Sequence, residues 1–155
     1  MATRISEFRV SNDALQNAEE LRRRIATEGY IFIRRLIRPE PLLELRQHIL
    51  TVLAEGGWLV PGTDVMDNIA DVTKTCADGD PEYLPVCRNV QKLEAVHRFA
   101  HRSEIVDLIG QLIDETVLPH PSKVVRLWFP QNTLHTTPAH QDHVHFQGAY
   151  ATYTC

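Results

Sequence analysis

No apolar run in this sequence approaches the ~20 residues needed to cross a bilayer, so no membrane partner or spanning helix is expected. The opening stretch, MATRISEFRV, lacks the apolar centre of a secretory signal. Cysteine is scarce. Cys76, Cys87 and Cys155 are odd in number and sit at no metal-finger spacing, which predicts reduced thiols in a cytoplasmic protein rather than a disulfide framework. An excess of positive charge is also missing: the formal net charge is -4 and the pI is near 6.0, which argues against nucleic acid as a partner. The one basic run, Arg22, Arg23 and Arg24, follows Glu19 and Glu20 and reads as a solvated helix face. What remains is ordinary. With 43% hydrophobic and 23% charged residues, 155 residues fit one globular domain spanning 1–155.

Apolar periodicity divides the chain into a mainly helical part, 1–118, and a part of strand character, 119–155. A first helix is expected from about Asn12 to Thr27, capped by Asn12 or Asp13 and stopped by Gly29. Tyr30-Ile31-Phe32-Ile33 then reads as a short buried strand. Pro39 or Pro41 opens a second helix, with Leu42, Leu45, Ile49 and Leu53 on one face and Gly56-Gly57 at its end. The stretch 58–81 is irregular, and its length suggests a lid or binding segment, or disorder. Helices follow over about Asn89–Phe99 and Ser103–Glu115, the second capped by Ser103. Strands are expected over Lys123–Phe129, Ala139–His145 and Ala149–Cys155, which makes the fold class α+β. Trp58, Trp128 and Phe129 are expected to fill core. The last strand has no closing turn, and a sheet ending there presents an open edge. The chain is therefore read as the N-terminal portion of a longer protein, with self-association through that edge as the alternative.

Chemistry concentrates in TPAHQDHVHFQG, residues 137–148, which hold three of the eight histidines. In an extended segment, residues two apart share a face. His140 and Asp142 then form an H-x-D pair, an imidazole and a carboxylate on one side. One further histidine would complete the two-histidine, one-carboxylate triad of non-haem iron oxygenases. His143 and His145 form an H-x-H pair on the other side, as in cupins, although no glutamate follows in Phe146–Tyr150. A polar strand whose histidines hydrogen-bond across a sheet is the plain alternative. His135 lies among threonines in an expected loop, and His48, His97, His101 and His120 read as surface or packing residues.

The order of these segments resembles the phytanoyl-CoA dioxygenase family of iron(II) and 2-oxoglutarate-dependent oxygenases. The resemblance is carried by His140-Gln141-Asp142 and by E-G-Y-I-F-I-R-R at Glu28–Arg35, and runs from about Leu21 to Cys155. It implies a double-stranded β-helix, a jelly roll flanked by N-terminal helices and here incomplete. It further implies His140 and Asp142 as ligands of Fe(II), 2-oxoglutarate as co-substrate, dioxygen as oxidant and a small organic molecule as the hydroxylated substrate. The family's third ligand, a histidine, and its arginine for 2-oxoglutarate belong to later strands. No histidine or arginine follows His145 here, so these residues alone are expected to be inactive. Arg126 is a candidate to meet an anionic ligand such as the co-substrate, or a solvent-facing strand residue. Gln141 is a candidate to orient a ligating group. Two rival readings stand: a cupin-like metal protein using His143 and His145, and a catalytically silent binding module.

Overall fold

A computed structural model describes residues 6–130, 132 and 152–155. The chain divides into two compact units, Met1–Glu44 with Arg98–Pro121 and Leu45–His97 with Ser122–Cys155.

In the first unit a 3-10 turn, Asn12–Ala14, precedes helix α1, Ala18–Glu28. The cap of α1 is Asn17, whose side chain accepts from the Glu20 N–H, and not Asn12 or Asp13. Gly29 ends the helix as expected. At φ 79 it takes a left-handed conformation that a side chain disfavours, while its N–H bonds to the Ile25 carbonyl. Helix α2 spans Pro39–Glu55, and its first residues belong to this unit. Helix α5, Ser103–Ile113, packs against α1. Ser103 is its first residue and makes no cap bond; Arg102 holds the cap position. Ala14, Leu21 and Leu112 form the core, flanked by Ile25, Ile31, Leu108, Ile109 and Ile113.

A buried cation sits beside this core. Arg24 is 4% exposed and donates to both oxygens of Asp13 at 2.8 and 2.7 Å and to Glu20 at 2.7 Å. Arg23 takes Glu20 as well, and Arg22 donates to the Gln111 carbonyl. The triple-arginine run is therefore not a uniformly solvated face: one of its three members is interior and doubly neutralised, which is how an arginine becomes tolerable there.

In the second unit the end of α2 stops at Gly56-Gly57. Gly56 is required by close approach, since a Cβ there would lie 2.7 Å from Val86 Cγ2. The stretch 58–81 is compact rather than open. It holds 3-10 turns at Val65–Asp67 and Val72–Lys74 and a single antiparallel bridge, Leu59 to Ala70. Helix α3, Tyr83–Gln91, starts six residues before the expected Asn89, and α4, Glu94–Phe99, follows a break. Pro85 is no obstacle to the early start, because first-turn amides have no intrahelical acceptor. Trp58, Cys76, Tyr83, Val86, Cys87 and Phe129 form the core. Trp58 and Phe129 are core as expected; Trp128 is not, at 57% exposure.

The expected α+β jelly roll is not the architecture. Among the described residues there is no β-strand, only isolated bridges at Val10–Phe32 and Leu59–Ala70, and the regular elements are helices. The reason is visible in two segments. Tyr30–Ile33 pairs through one residue, after which the chain turns; Arg35 takes φ 59 and α2 begins at Pro39. Lys123–Phe129 alternates in exposure as a strand would but has no ladder partner among the described residues. Its Leu127 N–H instead donates to Tyr83 Oη at 3.2 Å, and its Val125 carbonyl accepts from Cys87 Sγ at 3.6 Å. A strand is defined by ladder bonds, and here helix side chains take their place. The expected strands over 139–145 and 149–155 lie outside the described residues, except 152–155, which form no regular element. Among the described residues no helix is long and apolar enough to cross a membrane.

Candidate functional site

His140, Gln141 and Asp142 lie outside the described residues, as do His135, His143 and His145. Among the described residues no group of three or more His, Cys, Asp or Glu side chains is placed to hold a metal ion. Of the residues singled out in the sequence for chemistry, Arg126 is the one the structure places, and it places it in a cavity.

The cavity belongs to the second unit and has a volume of about 180 Å³. One wall is α3. Leu84, Arg88 and Gln91, at i, i+4 and i+7, share a helical face that lines it. The adjoining face of the same helix, Tyr83, Cys87 and Val90, is buried. The opposite wall is the extended segment Val124-Val125-Arg126, in which exposure alternates with the expected period of two. Val125 and Leu127 turn towards the core, while Val124, Arg126 and Trp128 turn out at 61%, 44% and 57% exposure.

Two bonds fix that segment against the helix, and the one from Cys87 depends on protonation. Burial pushes the Cys87 thiol above its ordinary range, so it stays protonated and able to donate to the Val125 carbonyl. Burial likewise raises Tyr83, keeping its hydroxyl neutral where it accepts from the Leu127 N–H. Cys76 is raised for the same reason, and both thiols are buried, without the accessibility of a reactive one. Arg126, between the two fixed positions, faces Asp78 at 3.7 Å. That distance is beyond hydrogen-bond reach, so its donors are not consumed by the pair.

Arg126, singled out in the sequence, shares this cavity with Arg88, Gln91 and Asp78, which were not. Starting α3 at Asn89 hid the face shared by Leu84, Arg88 and Gln91. The periodic set Tyr83, Val86, Cys87, Val90 was the available signal. Comparison with known proteins gives no matching family model, no matching curated protein and no matching solved structure.

Proposed function

We propose that the chain carries the iron-binding segment of an Fe(II)/2-oxoglutarate-dependent dioxygenase that hydroxylates a small organic substrate. His140 and Asp142 serve as two of its metal ligands. The observation that carries this reading is the sequence His140-Gln141-Asp142. An imidazole and a carboxylate two residues apart in an extended chain face the same way, and this donor pair suits ferrous iron. The metal, when bound, supplies the activation of dioxygen. The protein's own part is to hold two ligands on one side and leave the rest of the coordination sphere to other donors. Gln141, between them, orients a ligating group through its amide. Arg126 supplies positive charge to an anionic ligand.

Titration of the 155-residue chain with Mn(II), followed by electron paramagnetic resonance, tests the assignment. His140→Ala and Asp142→Ala are expected to weaken binding by at least about tenfold each, the loss typical of a removed charged or ligating partner. His143→Ala is expected to leave it within a factor of about two, less than one surface hydrogen bond. Loss confined to His143→Ala transfers the site to His143 and His145, and failure of the parent chain to bind ends the proposal.

A further inference from the structure

The cavity between α3 and Val124–Arg126 lies wholly within the described residues and is independent of any metal. Its lining carries two guanidinium groups, Arg88 from the helix and Arg126 from the facing segment, and one carboxylate, Asp78. The Gln91 amide adds donors beside Arg88. Among these lining residues, two cations against one anion leave a single positive charge. Arg88 makes no ion pair with any described residue, and Arg126 holds Asp78 only loosely. Each wall also carries aliphatic surface, Leu84 on the helix and Val124 on the facing segment. Leu84 and Val124 are 39% and 61% exposed, an arrangement that wastes apolar surface unless a carbon skeleton covers it.

From this juxtaposition of paired arginines and aliphatic surface we propose that the cavity is a binding site for a short-chain monocarboxylate. The carboxylate lies between Arg88 and Arg126, and its hydrocarbon tail rests on Leu84 and Val124. Guanidinium forks match the two oxygens of a carboxylate, and a monoanion brings the wall to neutrality. Inorganic phosphate offers oxygens but nothing for the aliphatic wall. The Tyr83 hydroxyl, accepting from the Leu127 N–H, and the Cys87 thiol, donating to the Val125 carbonyl, hold the arginine-bearing segment against α3, so the site is assembled before a ligand arrives. Asp78 acts as an internal competitor for Arg126. This inference goes beyond the iron reading and does not rest on it.

The test is an amide chemical-shift titration of the whole chain with butyrate, and in parallel with inorganic phosphate. Butyrate is expected to give saturable shifts centred on Arg88, Gln91 and Arg126. Arg88→Gln and Arg126→Gln are each expected to weaken it about tenfold, the loss of one charge-assisted hydrogen bond. Asp78→Asn is expected to tighten it about two- to fivefold by removing a surface competitor. All three positions are exposed, and an unchanged amide spectrum away from the cavity reports that each variant is folded. Absence of saturation, equal response in parent and arginine variants, weakening by Asp78→Asn, or phosphate binding as tightly as butyrate overturns the proposal.

Discussion

The first unit buries an arginine, whereas the second keeps its arginines outside and buries two thiols and three aromatic rings. Arg24 is enclosed beside Leu21 and Ala14 because Asp13 and Glu20 both reach it, at spacings of eleven and four residues. In the second unit the Trp58 ring lies tilted at 4.9 Å from Phe129 and 5.7 Å from Tyr83, with no buried ion pair among the described residues. One unit owes its specificity to a fixed charge constellation and the other to aromatic shape. They should therefore respond to different perturbations.

The largest expected effect lies in the aromatic core. Trp58→Ala removes the ring that joins Tyr83 and Phe129 and should cost about 3–5 kcal/mol of stability in denaturant titration. Trp128→Ala should cost no more than about 0.5 kcal/mol, because its ring is over half exposed. Equal losses from the two tryptophans would erase the aromatic half of the comparison.

Acid should separate the units next. Arg24 holds the Asp13 carboxyl at about 2 against an ordinary 3.8, and Arg23 and Arg24 hold Glu20 at about 2 against 4.5. Folded-state values below the unfolded ones mean that the stabilisation is complete above about pH 4.5. It is lost progressively as pH falls towards 2. Thermal unfolding followed at helix α1 should drop by several degrees over that interval. Arg24→Met should lower the midpoint at neutral pH and flatten the acid dependence. A variant as acid-sensitive as the parent would mean that the carboxylates owe their low values to something other than Arg24.

How much of this was legible in the sequence follows from the range of the forces involved. Gly29, Pro39 and Gly56-Gly57 act within a turn or two of themselves, and the helix boundaries they set were readable. Arg24 looked solvated because its neighbours in sequence are charged, yet Glu20 one turn earlier was a visible partner; Asp13 was not, since only the 3-10 turn brings it close. Trp128 and Phe129 were indistinguishable by composition. Their fates differ because an extended chain alternates, and the side that faces α3 is decided by the bonds to Tyr83 and Cys87. The same cause explains the missing sheet. Val-Val-Arg-Leu-Trp-Phe has strand composition, but composition specifies an extended backbone and not the partner that would make it a ladder. The H-x-D segment, on which the functional reading depends, lies outside the described residues, so its legibility remains chemical rather than geometric.

The most local effect bears on the replacement of a strand partner by a side chain. Tyr83→Phe keeps the ring against Trp58 and deletes only the oxygen that accepts the Leu127 N–H. Leaving this half-buried amide without its partner should cost about 1–2 kcal/mol, well below the loss of the Trp58 ring. Hydrogen exchange at Leu127 should accelerate by about tenfold or more, the factor corresponding to that free energy, while exchange within α1 stays unchanged. If Leu127 exchanges no faster in the variant, the extended segment owes its position to packing of Leu127 and Phe129 alone. Tyr83 would then be one more core ring, and the second unit would be held by shape without any polar register.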